Sequence, residues 1–342
     1  MSSKDVLLIG AGRMGRSHAM AVRELGLSLA AVCDLRTEAR DAMGEEFSIA
    51  PSARFAEAAA MLAAFPDPRL VVIATTANTH FDLVRAAVAA GAQAILCEKP
   101  MAASVDQCIG MVECCAQAGT RLGINHQMRF MPQYELVKTI LDEGLLGRLG
   151  SMNVVAGSLG LAMNGSHYIE AFNFLTGAWP GWVSAHFTGE PINNPRGVEF
   201  FDQGGEFRFI ADSGQRLNLI IGHDQGHGMT VTYAGEYGHI IIDELQGEAI
   251  VTARERAHRG APMTRYGMPW ERITHRFAPA DNVQPTKRVL EALLKGENFP
   301  DGRTGLQIVR AVARCYDSAE QNSRKIAIET ADANTGRVFP WA

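Results

Sequence analysis

The sequence predicts an α/β protein in which a doubly wound parallel sheet is followed by an antiparallel sheet. Two observations carry this prediction. Residues 5–122 alternate short apolar runs with amphipathic stretches, a rhythm typical of βαβ units with right-handed crossovers. Residues 183–253 alternate apolar and polar positions between glycine-rich turns, as antiparallel strands with one solvated face do. We therefore expect the 342 residues to form two domains, 1–123 and 124–342.

The elements of the first region follow from its apolar runs and its breakers. Short apolar runs predict strands at 6–9, 27–33, 70–74, 94–97 and 121–124. Amphipathic or alanine-rich stretches predict helices at 13–25, 37–46, 53–65, 82–90 and 105–118. Gly91 and Gly119 end the last two helices, because glycine readily takes the backbone conformation that closes a helix.

Residues 124–342 show a different pattern of predicted elements. We expect helices at 134–143, 166–175 and 304–322, and a strand at 151–157 ahead of the strands in 183–253. Residues 254–280 show no clear periodicity and are expected to form a loop.

Composition and charge exclude several classes of protein. A 47% hydrophobic and 20% charged chain is neither disordered nor coiled coil, and a net charge of −5 without a basic half argues against nucleic acid as a partner. The segment MSSKDVLLIG lacks the long apolar stretch of a secretory signal, and no window reaches about 18 uncharged apolar residues, so we expect no membrane span. The six cysteines form no CxxC pair, which predicts free thiols in the cytoplasm and no metal site.

A glycine-rich turn follows the first predicted strand and opens the first helix. It reads Gly10-Ala11-Gly12-Arg13-Met14-Gly15, which is G-x-G-x-x-G in the context that a dinucleotide-binding turn requires. The three glycines allow the tight turn, the close approach of a pyrophosphate and the packing of helix on strand. The alternative is a structural turn.

An aspartate at the end of the second strand bears on the choice of cofactor. Asp34 stands where a carboxylate accepts the ribose hydroxyls, and its charge repels a 2′-phosphate, so NAD is favoured over NADP. Arg36 lies two residues on and provides a cation that a 2′-phosphate would need, so NADP stays open. The alternative is an aspartate that only faces solvent.

Polar clusters follow three of the predicted parallel strands. They contain Thr75, Thr76, Asn78 and His80 after the third strand, Glu98 and Lys99 after the fourth, and Asn125, His126 and Arg129 after the fifth. Because ligands bind at the carboxyl ends of parallel strands, these side chains are candidates for the same site as the glycine turn. Lys99 is the only lysine between residues 5 and 137, and the alternative is a surface lysine with Pro100 opening a helix.

These residues together resemble the glucose–fructose oxidoreductase/inositol dehydrogenase (Gfo/Idh/MocA) family. The resemblance rests on the glycine turn, Asp34, the Asn78/His80 pair, the tripeptide 98–100, the later 165–167 and the ending GLQIVRAVARCYDSAEQNSRKIAI. It implies a Rossmann domain and a C-terminal α/β domain with a large open, mostly antiparallel sheet, through which the chain would form a homodimer or homotetramer. It also implies hydride transfer between a nicotinamide and the CH–OH group of a sugar, cyclitol or nucleotide-sugar.

The resemblance further assigns site residues. Lys99 and His167 match the catalytic lysine and the active-site histidine. The remaining residues expected at the cofactor are Gly10, Ala11, Gly12, Arg13, Met14, Asp34, Arg36, Thr75, Thr76, Asn78, His80, Glu98 and Asn125, with Lys99 shared. Those expected at the substrate are Lys99, His126, Arg129, Asn164, His167 and Tyr168. An NADP-linked reductase and a non-catalytic dinucleotide-binding regulator are the alternatives.

One position departs from the family pattern. Met163 stands where an aspartate is usual, and a thioether cannot accept a proton, so proton exchange falls to His167 in this interpretation. Glu170, one helical turn on, is expected to orient the His167 imidazole. If His167 only packs in the core, Tyr168 or a deprotonated Lys99 would carry the proton.

Two further clusters have structural explanations that we favour. Residues 223–227 contain two histidines and an aspartate, but their glycine-bounded setting between two strands favours a hairpin tip over a metal site. Arg254, Arg256, His258 and Arg259 form a basic cluster, for which a solvated loop is favoured over an anion site.

Overall fold

The structure, a computed structural model, describes residues 6–194, 196–262, 269–278, 281–331 and 333–342. The chain divides into two compact units that are not continuous in sequence. Unit 1 comprises Met1–Gln127, Asp281–Val309 and Asn334–Ala342, and unit 2 comprises Met128–Ala280 and Arg310–Ala333. The division expected from the sequence, 1–123 and 124–342, does not include this return of the chain to unit 1.

Unit 1 contains the expected parallel sheet. Its strands are β1 (Val6–Ile9), β2 (Leu29–Cys33), β3 (Arg54–Phe55), β4 (Leu70–Ile73), β5 (Ala94–Cys97) and β6 (Arg121–Ile124), in the order β3-β2-β1-β4-β5-β6. The intervening helices are α1 (Arg13–Glu24), α2 (Thr37–Glu46), α3 (Ala58–Ala64), α4 (Ala77–Ala89) and α5 (Val105–Ala118). This is the strand order of a doubly wound dinucleotide-binding fold, so the predicted fold class is confirmed.

The continuous apolar runs become the core of unit 1. All residues of β1, β4 and β5 are buried, as expected for parallel strands covered on both faces. Two boundaries differ from the prediction. The stretch 53–65 begins with β3, a strand too short to show periodicity, before α3 starts at Ala58. Helix α4 starts at Ala77 rather than at residue 82, which places Asn78 and His80 in its first turns.

Unit 2 is built on a nine-stranded sheet. After α6 (Pro132–Asp142) the chain forms β7 (Leu149–Gly157), α7 (Ser166–Thr176) and β8 (Pro180–Phe187). The strands that follow are β9 (Ile192–Asn193), β10 (Phe201–Asp202), β11 (Gly205–Ala211), β12 (Arg216–Gly222), β13 (Met229–Gly235), β14 (Gly238–Asp243), β15 (Glu248–Arg254) and β16 (Trp270–Arg276). Helix α8 (Val283–Lys295) belongs to unit 1, α9 (Gly302–Glu320) begins in unit 1 and ends in unit 2, and the last strand, β17 (Ile326–Ala327), belongs to unit 2.

The order of the large sheet is β16-β15-β14-β13-β7-β12-β11-β8-β17, while β9 and β10 form a separate hairpin. Only β7 and β12 pair in parallel among its described strands, so the predicted mostly antiparallel character is confirmed. Alternate residues of β11 and β15 are buried, which shows that one face of the sheet packs against the core of unit 2.

Two sequence-based expectations in this unit are wrong. Residues 254–280 are not a loop throughout, because β16 lies within them, whereas 263–268 and 279–280 lie outside the described residues. Strand β16 is an edge strand with mostly exposed side chains, so its sequence lacks an apolar alternation. Residues 223–228 do not form a hairpin tip, because β7 lies between the two strands that they join.

The returning segments complete unit 1. The Gln284 side chain of α8 donates to Glu24 of α1 at 2.6 Å, and the Ile124 amide donates to the Pro300 carbonyl at 2.8 Å. In the C-terminal segment the Phe339 ring stacks on Trp341 with centroids 4.4 Å apart. Within the described residues, no helix is long and apolar enough to span a bilayer.

Candidate active site

The glycine turn of unit 1 shows why each glycine is there. A Cβ on Gly10, whose φ is +97°, would lie 2.5 Å from the Ala74 carbonyl oxygen, and a Cβ on Gly15 would lie 2.0 Å from the Gly10 oxygen. A Cβ on Gly12 would meet only the Arg36 guanidinium, at 3.7 Å. The protein's own packing therefore requires Gly10 and Gly15 but not Gly12.

The empty space above Gly12 fits a ligand that approaches the backbone closely. Gly12 is also the N-cap of α1, and no side chain caps this end of the helix. Its first amides and the positive end of the helix dipole therefore suit a pyrophosphate. Arg13 and Met14 occupy the first turn, where Arg13 is exposed. These residues fit the dinucleotide that the sequence predicts.

Asp34 is held rigidly at the end of β2. Its Oδ2 accepts the Ala11 amide at 2.7 Å, and its Oδ1 accepts the Arg36 amide at 2.9 Å. Partial burial raises the pKa of Asp34. The two amides and the Arg36 guanidinium together lower it by more than burial raises it, so the net shift of this pKa is downward. The Arg36 guanidinium also donates to this carboxylate, with Nε 3.3 Å from Oδ1 and Nη2 3.5 Å from Oδ2. The carboxylate is thus fixed and charged, and a ribose hydroxyl would bind it in competition with the exposed Arg36 side chain.

The loop after β4 presents hydroxyls and an exposed amide. Thr76 donates to Asn78 Oδ1 at 2.7 Å, and the Thr79 hydroxyl donates to Thr75 at 2.8 Å. His80 differs because it is fully buried. Its ring nitrogens lie 3.1 Å from the Pro100 carbonyl oxygen and 3.3 Å from that of Thr75, so the ring joins the loops that follow β4 and β5. Burial lowers the pKa of His80, although the hydrogen bonds to these carbonyls and the charge of Glu98 raise it.

Glu98 and Lys99 follow β5 at the same edge of the sheet. Glu98 is buried, and its Oε1 lies 2.7 Å from His18 Nε2 and 2.8 Å from Asn125 Nδ2. Lys99 is half-buried, and its amide donates to Glu98 Oε2 at 3.3 Å. Pro100 does not open a helix, because α5 starts only at Val105.

His18 and Asn125 bring two further elements to this carboxylate. His18 lies on the buried stripe of α1 with Gly15 and Val22, and Asn125 directly follows β6. The sequence predicted Asn125 at the site and missed His18. A polar residue on an otherwise apolar helix stripe is the signal that could have found it. His126, the next residue after Asn125, is also buried.

In unit 2 the residues predicted near the substrate lie around the start of α7. A π-helical turn, Leu161–Gly165, contains Met163 and Asn164 and continues into α7 with His167. Met163 and Asn164 are partly exposed, and His167 is 8% exposed.

A carboxylate from another segment holds this turn. Asp202 of β10 accepts the Ala162 amide at 3.0 Å and the Met163 amide at 2.7 Å. A Cβ on Gly160 would lie 2.2 Å from the Asp202 carboxylate, so the chain needs glycine there. The sequence analysis missed Asp202, because its partners lie about 40 residues away in the chain.

Glu170 does not have the role expected from the sequence. Its Oε1 accepts both Nε and Nη2 of Arg129, the Nε contact being 2.7 Å, so this carboxylate pairs with arginine and does not orient the His167 imidazole. Arg129 also lies over the Phe174 ring. Burial raises the pKa of Glu170 despite the opposing effect of Arg129. A buried carboxylate pairs with a cation because the attraction between them offsets the free energy lost when the carboxylate leaves water.

Tyr168 faces a second buried carboxylate. Its hydroxyl lies 3.4 Å from Glu244, which also accepts the Tyr134 hydroxyl at 2.6 Å. Burial raises the pKa of Glu244 although both hydroxyls lower it. The Tyr168 side chain is 2% exposed, so its hydroxyl is used inside unit 2.

Two arginines of the basic cluster bind backbone carbonyls. Arg259 donates to the carbonyls of residues 144 and 145, at 3.0 and 2.7 Å, and Arg256 approaches that of residue 143 at 3.4 Å. These carbonyls lie just beyond α6, where a helix end attracts cations, so this part of the cluster is neither a free solvated loop nor an open anion site. Within the described ranges, no group of three His, Cys, Asp or Glu residues fits a metal ion.

Known proteins resemble this chain in sequence and in fold. Residues 4–126 match the family model described as the oxidoreductase family with an NAD-binding Rossmann fold. The chain is 34% identical to a D-apiose dehydrogenase from Paraburkholderia graminis, over 97% of this chain and 91% of that protein.

Solved structures share the fold. An oxidoreductase from Agrobacterium radiobacter, in complex with NAD+, L-tartaric acid and magnesium, has a TM-score of 0.79 at 20% identity and covers 96% of this chain and 99% of its own. An inositol dehydrogenase homologue from Azotobacter vinelandii, complexed with NADH and myo-inositol, has a TM-score of 0.76 at 16% identity, covering 94% and 97%. The similarity in sequence along the whole chain, together with the glycine turn of unit 1, shows that this protein is an oxidoreductase of the Gfo/Idh/MocA family.

Proposed function

We propose that the protein oxidises the CH–OH group of a sugar or polyol with NAD, using Lys99 and His167. The observation that carries the proposal is the common edge of the unit 1 sheet. The glycine turn follows β1 and Lys99 follows β5, and parallel strands end at one edge, where ligands of such sheets bind. The relative named D-apiose dehydrogenase supports a sugar as the substrate class.

The proposed roles follow from the chemistry of each side chain. Bound nicotinamide supplies a hydride acceptor. Oxidation of an alcohol to a carbonyl removes one hydride from carbon and one proton from oxygen. The Lys99 ammonium donates a hydrogen bond to the substrate oxygen and stabilises its developing negative charge. His167 takes the hydroxyl proton, because imidazole is the side chain whose ordinary pKa, about 6.5, suits proton exchange near neutral pH.

NAD is proposed over NADP because of Asp34. The carboxylate is fixed by the Ala11 and Arg36 amides and stays charged, so it accepts ribose hydroxyls and repels a 2′-phosphate. The Arg36 guanidinium lies 3.3 Å from Asp34 Oδ1 and is therefore partly neutralised by it. Calorimetry tests this choice: wild type binds NAD more tightly than NADP, and Asp34→Ser raises the Kd for NAD at least about tenfold. Tighter binding of NADP by the wild type would refute it.

A second copy of the chain is the proposed partner of the open face of the large sheet. Val155, Trp182, Ile220 and Ile241 are 38–41% exposed, and the pairing register puts them on one face. A homodimer or homotetramer would cover them. Sedimentation of the wild type and of Ile220→Lys tests this: we expect an oligomer that the substitution weakens, whereas a monomeric wild type contradicts it.

The catalytic proposal is tested by turnover. The protein is mixed with NAD and a panel of sugars and polyols, and reduced cofactor is followed by absorbance. On an accepted substrate, Lys99→Met lowers kcat at least about 10²-fold with little change in the Kd for NAD. His167→Asn lowers it about 10²–10⁴-fold and recovers partly at high pH.

Lys138→Met is the matched control, because Lys138 is bound to Asp142 on the surface of α6. We expect it to leave turnover unchanged. Near-normal turnover in Lys99→Met or His167→Asn removes that residue from the mechanism. Binding of NAD without turnover across the panel would favour the non-catalytic regulator.

A further inference from the structure

The loop that follows β5 carries Lys99, and side chains hold its main chain on both sides of that residue. The Lys99 amide donates to the Glu98 carboxylate at 3.3 Å. Beyond Lys99, the carbonyl oxygens of Pro100 and Met101 lie 3.1 and 3.3 Å from Nδ1 of His80. Both of these residues are buried and lie between β5 and α5. Side-chain contacts, rather than the regular hydrogen bonds of a helix or a sheet, therefore fix the two carbonyls.

His80 brings a second loop to the same point. It lies in the first turn of α4, and its Nε2 is 3.3 Å from the carbonyl oxygen of Thr75 in the loop after β4. Strands β4 and β5 are neighbours in the sheet, so one imidazole spans the two loops that follow them. The His80 side chain is fully buried. A ring enclosed in this way is better suited to holding main chain than to the cofactor contact that the family resemblance implies.

The position of the ring hydrogen decides which of these contacts is a hydrogen bond. Carbonyl oxygens only accept, and a neutral imidazole carries one N–H. Burial is the largest effect on the pKa of His80 and lowers it, so the ring is neutral near pH 7. A hydrogen on Nδ1 binds the nearer carbonyl, that of Pro100, and is shared with that of Met101. A hydrogen on Nε2 would leave the Nδ1 lone pair facing two carbonyl oxygens, so the form with Nδ1–H is favoured.

We infer that His80 is a positioning residue, whose Nδ1–H donates to the two carbonyls that follow Lys99 and so fixes the main chain there. The inference rests on the proposed function and deepens it, because it names a residue that acts on Lys99 through the loop. A catalytic group misplaced by about 1 Å can lose on the order of 10²-fold in rate. Holding the main chain on both sides of Lys99 limits such displacement.

Two amide variants place a donor at different points of the imidazole. In His80→Asn the side-chain nitrogen can lie close to the place of Nδ1, whereas in His80→Gln it lies close to that of Nε2. We expect His80→Asn to keep the loop and His80→Gln to release it. Amide hydrogen exchange at Lys99 and Met101 measures this. It should quicken at least about fivefold in His80→Gln only, because loss of a typical hydrogen bond changes local opening by about that factor.

A control variant and an internal reference separate this role from a general loss of stability. His227→Gln makes the same substitution at an exposed histidine of unit 2 and should leave exchange in the loop unchanged. Exchange in β1 is the reference, because general destabilisation quickens exchange there as well. Unchanged exchange in His80→Gln, equal quickening in His80→Asn, or quickening that extends equally to β1 would each overturn the inference.

The hydrogen on the ring is measured in the wild type, so the inference is decided even where a variant does not fold. Nitrogen-15 NMR distinguishes the protonated from the unprotonated ring nitrogen, and the His80 signals are assigned from its own backbone. We expect Nδ1 to carry the hydrogen at pH 7. A hydrogen on Nε2 alone would overturn the inference, because Nδ1 could then donate to neither carbonyl.

Turnover distinguishes positioning from a cofactor contact. With an accepted substrate, His80→Gln should lower kcat about tenfold or more and change the Kd for NAD less than about threefold, and His80→Asn should recover most of kcat. A large rise in that Kd with unchanged kcat would establish a cofactor contact and refute positioning. If the wild type turns over no substrate, the proposed function fails, while exchange and the ring hydrogen still decide whether His80 holds the loop.

Discussion

Two buried glutamates, one in each unit, have pKa values shifted in opposite directions. Glu98 and Glu170 are both at most 2% exposed, so burial acts against the charge of each. Glu98 has both oxygens bonded, whereas only Oε1 of Glu170 is bonded, by Arg129, and its Oε2 has no hydrogen-bond partner among the described residues. The pKa of Glu98 is lowered and that of Glu170 is raised. Burial acts on both, but at Glu98 it is outweighed by the His18 hydrogen bond and by the charges of His18 and Lys99, whereas at Glu170 only Arg129 opposes it.

The opposite shifts give opposite dependences of stability on pH. Glu98 binds a proton less readily folded than unfolded, so its stabilisation is full above about pH 4.5 and is lost as pH falls toward its folded pKa of about 2. Glu170 binds a proton more readily when folded. Its contribution is therefore full below about pH 4.5 and is lost as pH rises through its raised folded pKa.

The largest effect is expected when Glu170 loses its cation. Arg129→Met leaves a fully buried carboxylate uncompensated, which should lower the free energy of unfolding at pH 7 by about 3–5 kcal/mol. The loss should be smaller at pH 5, because a protonated Glu170 needs no cation. Urea unfolding at both pH values measures this, with Arg129→Met/Glu170→Leu as the variant that recovers stability. An equal loss at both pH values would contradict the comparison.

A smaller effect is expected at the better-bonded carboxylate. Glu98→Gln keeps one acceptor oxygen but weakens the charge-assisted bonds, so we expect a loss of about 1.5–3 kcal/mol at pH 7. The difference from wild type should shrink as pH falls from 4.5 toward 2, where the wild-type carboxyl takes up a proton. Urea unfolding across this range is the measurement. A difference that grows on acidification would reverse the assigned direction of the Glu98 shift.

Asp202 extends the comparison to a carboxylate bonded by backbone amides. Asp202→Ala removes the acceptor for the Ala162 and Met163 amides, and loss of such a helix-end acceptor costs about 0.5–2 kcal/mol. Amide hydrogen exchange should quicken at these two residues more than at the end of α7. Asp202→Asn, which keeps one oxygen, should lie between alanine and wild type. Unchanged exchange in Asp202→Ala would remove the anchoring role.

The smallest effect on the free energy of unfolding is expected at an exposed carboxylate. Glu291 pairs with Lys295 one turn along α8, and both side chains are largely exposed. Glu291→Gln should leave the unfolding midpoint unchanged within error, because exposed pairs are screened by water and salt. A midpoint shift as large as that of Glu98→Gln would show that burial and bonding are not what set these contributions.

The elements that carry the candidate site were predictable where the signal is local in sequence. The glycine turn, Asp34 and the polar residues after three of the strands were predicted from short motifs, and the strands β1, β2, β4, β5 and β6 place them at one edge of the sheet. The partner of Glu170 was predicted wrongly. One helical turn separates it from His167, but a buried carboxylate pairs with a cation, and Arg129 lies 41 residues away in the chain.

The sequence by itself determined the fold class, the dinucleotide turn and the placing of Lys99 at a strand end, because periodicity and glycine spacing act over a few residues. Only the tertiary structure decided how the buried charges pair. His18 meets Glu98 across 80 residues, and Asp202 holds a turn about 40 residues before it. No periodicity in the chain indicates which residue each of them pairs with. The pairings form because folding removes water from these polar groups, and a buried polar group is stable only when the fold places a donor or acceptor next to it.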